Sequence, residues 1–169
     1  MTETEMFYAR IGSTVVALLM AFASWRSRNV GRLLLVLLFL WAGQVNLRTA
    51  IVQPEVYLDY APLAYSDAYR RFILGFFARH IPAIVGAIAI GQLAIAVLIS
   101  LRGRAVHLGL GGAIVFLVAI VPLGIGSGFP ATLIMALAAA ILLRAHYTET
   151  LWSTLWRSVF SYARGLHAR

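Results

Sequence analysis

The residues best suited to chemistry in this chain are polar side chains that interrupt apolar segments. Gln44 and Asn46 lie late in one such segment, and Gln92 lies near the middle of another, which should run in the opposite direction. Polar groups at membrane depth are costly unless they find partners, so we expect the three amides to meet at similar depth. They either hydrogen-bond the helices together or line a small polar pocket for a lipid headgroup or a quinone carbonyl.

Arg48 is the next candidate, and it lies four residues after Gln44, so the two share a helical face. Asn46 points away from both, which makes a single pocket lined by all three doubtful. Arg48 is expected about one turn below the membrane surface, where its side chain can extend outwards to water. The favoured use is an ion pair with a nearby acid, and the alternative is an anionic ligand or a lipid phosphate. The candidate acids are Glu55, Asp59 and Asp67.

The segment after Arg48 is rich in tyrosine and proline. Pro54 and Pro62 lack an N–H and restrict the residue before them, so the preceding helix should end here. The tyrosines are Tyr57, Tyr60, Tyr65 and Tyr69. Tyrosine is enriched at membrane interfaces, which is the favoured explanation. The alternative is a binding lid within an outer loop over residues 53–80, with Tyr57 and Tyr60 as candidate ligand contacts.

Patterns that would bind a cofactor are scarce. The chain has no cysteine, which excludes disulfides and thiolate metal sites. The four histidines are placed at the ends of apolar segments or in the tail, so a buried haem is not expected, whereas a quinone stays possible. No catalytic residue and no metal ligand is predicted.

The composition identifies the surroundings of the chain. Hydrophobic residues make up 62% of its 169 residues, more than a water-soluble domain can cover. The net charge of +8 would fit nucleic acid, but in a membrane chain it is better explained by topology and anionic lipids. We therefore expect membrane lipids as partners and no nucleic acid.

Apolar segments predict a polytopic membrane protein in one domain, residues 1–169. A spanning helix needs about 20 apolar residues. The last two spans divide an uncharged stretch of 39 residues at the helix-breaking sequence "PLGIGSGFP". The predicted fold class is an all-α membrane helical bundle of four core helices plus an N-terminal transmembrane helix. The five spans are about 7–25, 33–52, 81–101, 107–124 and 127–143.

Two further segments are predicted to lie on the membrane surface. The first is a C-terminal amphipathic helix in the cytoplasmic tail 144–169, with docking on a partner protein as the alternative. Its apolar stripe would contain Leu151, Trp152, Leu155, Trp156, Val159 and Phe160. The second covers residues 66–79 in the outer loop, with Ser66 as N-cap.

Small residues recur at four-residue intervals in two spans. One row contains Ala83, Ala87 and Gly91, and the other contains Thr132, Ala136 and Ala140. Such rows let helices approach closely. Packing within the chain is the favoured explanation, and a homodimer interface is the alternative.

Three stretches together resemble the DoxX-like family of small bacterial membrane proteins, over about residues 31–144. They are "GRLLLVLLFLWAGQVNL", "GQLAIAVLISLRGR" and "FPATLIMALAAAILL". The resemblance implies an antiparallel four-helix bundle. It also implies a possible place among quinone-linked oxidoreductase subunits or proteins that accompany envelope and redox-stress proteins. This chain adds an N-terminal span and carries Arg48 where the family often has a lysine near Gly43, and no catalytic residue carries over.

The leading functional hypothesis is a non-catalytic integral membrane subunit or accessory protein that holds a lipid or a partner at the outer mouth of the bundle. The alternative is a quinone-binding membrane subunit of an oxidoreductase, with Gln44, Asn46, Arg48 and Gln92 around the quinone. A small-solute transporter would be expected to show inverted repeats, and none is convincing.

The arginines predict the orientation, because cytoplasmic loops carry an excess of positive charge. With five spans and the N-terminus outside, nine arginines lie inside and five outside. The chain is therefore expected in the bacterial cytoplasmic membrane with its N-terminus outside and its C-terminus in the cytoplasm.

This orientation can be tested with single cysteines, since the chain has none of its own. In whole cells, Ser66→Cys should react with a membrane-impermeant maleimide, and Ser158→Cys should react only after the cells are opened. The reverse labelling pattern would refute the topology.

Overall fold

The chain is all-helical over the residues that its computed structural model describes, which are 3–123 and 128–166. The α-helices are α1 (Glu3–Arg26), α2 (Arg28–Val52), α3 (Asp67–Phe72), α4 (Ala78–Ser100), α5 (Arg104–Ala119), α6 (Ala131–Leu143) and α7 (Leu151–Leu166). A 3₁₀ segment covers Pro54–Leu63, and a π-helical segment, Ile73–Phe77, joins α3 to α4. The predicted all-α bundle is confirmed.

Five of the helices form a closed ring. Each packs on its neighbours in the order α1, α2, α4, α5, α6 and back to α1. The N-terminal helix belongs to this ring, because Ala17 and Met20 are buried in the main core with Leu35, Phe39 and Leu110. The outside of the bundle also carries many exposed large hydrophobic side chains, so the bundle is expected to sit in lipid.

Four helical stretches in the described residues are long and apolar enough to cross a membrane, so the chain is a multi-pass membrane protein. They are Phe7–Arg26, Arg28–Val52, Asp67–Ser100 and Arg104–Leu123.

The two ends of the ring differ, and we name them by their residues. The arginine end contains Arg26, Arg28, Arg32, Arg102, Arg104 and Arg144, where α2 and α5 begin and α4 and α6 end. The lid end contains the lid, residues 53–66, which follows α2. The predicted break in "PLGIGSGFP" falls at the lid end, and its residues 124–127 lie outside the described residues.

The segment expected on the outer surface is continuous with α4. Ser66 caps α3 as predicted, because its Oγ accepts a hydrogen bond of 3.3 Å from the N–H of Tyr69. The helix then passes through the π segment, and its backbone leaves helical geometry at His80, two residues before Pro82. A kink at this point is expected, since proline clashes with the preceding turn and removes one hydrogen bond.

Helix α6 is short for a membrane helix, and the lid covers its beginning. Its 13 residues extend about 20 Å, against about 30 Å for the hydrocarbon of a bilayer. The lid reaches across to the hairpin of α5 and α6: the N–H of Tyr65 donates to the carbonyl of Pro122 at 3.2 Å, and its ring meets Phe129 edge-on. The lid therefore covers the end of the ring beside the first residues of α6, where this helix is too short to do so.

The C-terminal helix divides its apolar stripe between the bundle and the exterior. Leu151 is fully buried and Leu155 packs on the main core, whereas Trp152 and Trp156 are 54% and 68% exposed. The side chains of Val159 and Phe160 lie outside those that the structure describes. Helix α7 is thus attached to the arginine end and still offers two indole rings to a membrane surface.

The two rows of small residues have different environments. Thr132 and Ala136 are buried against the ring, so this row serves packing within the chain. Ala83, Ala87 and Gly91 lie on the exposed side of α4, and the homodimer interface stays a prediction.

Helices α4 and α5 approach each other closely at Gly109. A Cβ added at Gly109 would lie 2.8 Å from the backbone nitrogen of Ile99, whereas one added at Gly111 would meet nothing within 4 Å. Backbone atoms cannot move aside as a flexible side chain can, so the two glycines of α5 should differ in their tolerance of a methyl group.

We expect Gly109→Ala to destabilise the purified protein by about 1–3 kcal/mol, because it overpacks this contact. On the same helix, Gly111→Ala should be neutral or up to about 1 kcal/mol more stable, since alanine favours helix. Thermal unfolding in detergent measures both. Equal losses for the two variants would contradict the packing of α5 on α4.

Candidate functional site

Three of the predicted site residues meet at the lid end. The Asn46 side chain donates from Nδ2 to Oε1 of Gln92 at 2.8 Å, which joins α2 to α4. The hydroxyl of Tyr57 donates to Oδ1 of Asn46 at 2.9 Å, which joins the lid to α2. Gln92 is only 3% exposed. The amides therefore bond to each other and to the lid, as buried polar groups must.

Aromatic packing holds the lid in the same place. Tyr57 is buried with Ala50, Ile81 and Val85, and its ring lies 6.1 Å from that of Tyr60. Burial raises the pKa of Tyr57, the Tyr60 side chain adds to the rise, and a hydrogen bond with Thr49 opposes it. The Tyr57 hydroxyl therefore stays protonated at neutral pH and keeps its role as a donor to Asn46.

The sixth predicted residue, Tyr60, stands beside this network without entering it. It is half-buried, packed against the Ala50 and Ile81 cluster. Burial raises its pKa, and the neighbouring Asp59 carboxylate adds to the rise. Tyr60 thus contributes ring packing to the lid, and the structure assigns no hydrogen bond to its hydroxyl within the described residues.

Gln44 and Arg48 are separate from this network. Both are exposed on the outer face of α2, on the side away from Asn46. Of the three amides that were expected to meet, Asn46 and Gln92 therefore do so, and Gln44 does not. The separation follows from helix geometry, since residues two apart point about 200° from each other.

The expected ion pair of Arg48 is not formed. Glu55, Asp59 and Asp67 are all exposed. Among the described residues, the ion pair at this end joins Asp67 to Arg70, at 3.9 Å and well exposed on both sides. The lid is attached to α2 by the Tyr57 hydroxyl instead of by a charged pair.

The arginine end contains a buried guanidinium that the sequence indicates only as one of the nine arginines expected inside. Arg32 is 1% exposed. Its Nε and Nη2 donate to the carbonyl of Ile99 at 3.2 and 2.9 Å, and Nη2 also donates to that of Leu101 at 2.6 Å. These carbonyls end α4, where they lack helical partners and carry the negative end of its dipole. Arg32 on α2 thus caps the C-terminus of α4.

Tyr147 completes this arrangement from the chain after α6. The Arg32 guanidinium lies over its ring, 4.5 Å from the centroid, in a cation–π contact. Its hydroxyl donates to the carbonyl of Leu142 near the end of α6, and its carbonyl accepts from the N–H of Gly103, each at 2.7 Å. We call Arg32, Tyr147 and these backbone groups the arginine node.

Two details favour this geometry of the node. Gly103 has a φ of 62°, a conformation that glycine adopts at no steric cost. Burial raises the pKa of Tyr147, against the positive charges of Arg32 and Arg28, which lower it. The net rise keeps the hydroxyl protonated, so it can donate to Leu142.

A cavity of about 290 Å³ opens beside the node. Its wall consists of the first turn of α2 and the segment between α6 and α7. Arg28, Asn29, Arg32, His146, Tyr147 and Glu149 are among its lining residues. The cavity is therefore polar, and it lies at the expected level of lipid headgroups.

The helical periodicity of the sequence indicates that Arg32 faces the core. Arg32 falls three and seven residues before Leu35 and Phe39, two core residues of α2, so it shares their face. The periodicity does not identify the carbonyl groups that Arg32 binds, because the end of α4 is 67 residues away along the chain.

The fold and these contacts define the class of the molecule: a multi-pass, all-α membrane protein with polar networks at both ends of its bundle. No family model, no curated protein and no solved structure matches the chain. The DoxX-like resemblance therefore stays a prediction. Within the described parts of the chain, no group of three or more His, Asp or Glu side chains could hold a metal ion.

A double-mutant cycle tests the network at the lid end. Asn46→Ala and Gln92→Ala should each cost about 0.6 to 2 kcal/mol of stability, and the second change should add little to the first because the shared bond is already lost. Thermal unfolding in detergent gives the coupling. Gln44→Ala, on the outer face of the same helix, is the control and should leave the unfolding temperature unchanged. Additive losses from Asn46 and Gln92 would contradict the bond.

Proposed function

We propose that the protein is a non-catalytic integral membrane subunit or accessory protein of the bacterial cytoplasmic membrane. It would hold a partner protein or a lipid at the lid end of the bundle, against the exposed face of α2 that carries Trp41, Gln44 and Arg48. The proposed orientation places the lid end outside and the arginine end in the cytoplasm, as the distribution of arginines favours.

The observation that carries this proposal is the position of Gln44. It lies eight residues before the end of α2, which is about 12 Å along the helix and therefore within the hydrocarbon. Its amide is exposed on the outside of the bundle and makes no hydrogen bond within the described residues. A polar group facing lipid at this depth is costly, so a covering partner or ligand is the physical remedy.

The neighbours of Gln44 favour the same face. Trp41 is 65% exposed one turn below it, and Arg48 is exposed one turn above it. An aromatic ring, an amide and a guanidinium in one row offer apolar contact, hydrogen bonding and charge to a single partner. Tryptophan and arginine are also enriched in protein interfaces.

The contacts of Asn46 and Gln92 argue against a quinone pocket inside the bundle. Their amides bond to each other, and the Tyr57 hydroxyl uses the remaining oxygen of Asn46. A quinone carbonyl entering here would have to break these bonds. The DoxX-like resemblance would favour quinone binding. If the protein binds a quinone, the outer face of α2 is therefore the place that remains for it.

A photoreactive amino acid at position 44 tests the proposal. Irradiation of whole cells that carry p-benzoylphenylalanine in place of Gln44 should give one discrete adduct, either a protein band or a lipid mass. The same replacement at Val115, which is 70% exposed on α5, is the control and should give no discrete adduct. Adding Arg48→Gln should weaken the adduct at position 44 several-fold, without lowering the unfolding temperature of the purified bundle.

Identical adducts from positions 44 and 115 would reject the proposed face. Solvent extraction of the purified protein, followed by mass spectrometry, distinguishes the quinone-binding alternative from the proposed accessory function. Stoichiometric quinone that is lost with Arg48→Gln would replace the accessory function with quinone binding.

A further inference from the structure

The cavity at the arginine end has no role in the function proposed above. It lies at the other end of the molecule from Gln44 and Arg48. Its volume of about 290 Å³ is at the small end of the range for ligand sites, so it suits a compact group rather than a large cofactor.

The charges around the cavity are mostly positive. Arg28 and Arg32 both line it, and the single acidic side chain in its lining, Glu149, forms an ion pair with Arg157 of α7. Arg28 is exposed and makes no ion pair within the described residues. The positive charge of these two arginines is therefore left without a carboxylate.

Arg32 also has hydrogen-bonding capacity left over. Its Nε and Nη2 are used by the end of α4, and Nη1 has no acceptor among the described residues. Nη1 is a preorganised donor, because the rest of the guanidinium is already held in place.

The start of α2 adds to this preference for an anion. Ser27 caps the helix, and Arg28 and Asn29 of its first turn line the cavity. The N-terminal end of a helix carries partial positive charge and unpaired N–H groups, which attract anions. An exposed arginine such as Arg28 can bind phosphate oxygens through two parallel hydrogen bonds, whereas Arg32 can add donors from Nη1 alone.

We propose that this cavity binds a phosphate group, with Arg28 and Nη1 of Arg32 as the main contacts and Asn29 as a further donor. The group belongs either to the headgroup of an anionic phospholipid or to a free phosphate compound. The exposed Trp152 and Trp156 of the neighbouring helix α7 are suited to the headgroup layer and would keep the cavity at its level.

The test uses the full-length protein in nanodiscs of phosphatidylcholine and measures thermal unfolding. One arm adds phosphatidylglycerol to the bilayer, and the other adds inorganic phosphate against chloride of equal ionic strength. Stabilisation by phosphatidylglycerol alone identifies a lipid headgroup, and stabilisation by inorganic phosphate as well identifies a free phosphate site.

Arg28→Gln is the decisive variant, since Arg28 is exposed and stands outside the node that holds the fold together. It should weaken binding of the effective anion about tenfold, as expected for the loss of a hydrogen bond to a charged group. Arg104→Gln is the matched control, because it removes the same charge from the same end without lining the cavity. It should bind like the unchanged protein.

Equal weakening by Arg28→Gln and Arg104→Gln would show general attraction to a basic surface and would overturn the site. No stabilisation of the unchanged protein by either anion would overturn it too. Both results are independent of the cross-linking at Gln44.

Discussion

The burial of one positive charge, that of Arg32, constrains the whole arginine end. A guanidinium cannot discard its proton to escape burial, so the Nε and Nη2 groups that face the protein need acceptors. Within the described residues the acceptors are main-chain carbonyls at the end of α4 and the face of a tyrosine ring, with no carboxylate in contact. These groups are in place only when α2, α4 and the chain after α6 are all docked. Arg32 therefore couples the ends of several helices that a purely apolar core would leave free to slide.

At the lid end, the polar groups that must be satisfied inside the bundle are neutral, and they bond to each other. Asn46 and Gln92 tie α2 to α4, and Tyr57 ties the lid to both. Between the two polar levels the ring is packed mainly from small and aliphatic side chains together with Phe39 and Phe116, and Gly109 allows the backbones of α4 and α5 to approach. In lipid, apolar packing alone gives little preference for one helix pair over another, because the solvent is as apolar as the side chains. The polar contacts at the ends then select the register.

Much of this architecture is predictable, and the exceptions have physical reasons. Apolar length and helix-breaking residues indicate the helices, and antiparallel neighbours place Asn46 and Gln92 at one depth. The exposure of Gln44 follows from its helical phase relative to Asn46, but its lack of a partner depends on which helices surround α2. Arg32 near the start of an apolar stretch resembles any charge that marks a cytoplasmic loop, and only the docking of α4 reveals its burial. The pairing of Arg48 failed for the opposite reason: nearby acids in a loop can all point to water.

The height of the bundle changes around its perimeter. Helix α4 is 23 residues long, whereas α6 has 13 and still exposes Leu133 and Leu137 to the exterior. A bilayer of uniform thickness cannot match both sides of such a wedge. The leaflets beside α6 must thin, or the molecule must tilt towards that side, and each adjustment costs a fraction of a kcal/mol per ångström of mismatch, roughly. Lipids with shorter chains lower that cost, so the protein is expected to collect them along α6 and to favour places where the membrane is already thin or bent.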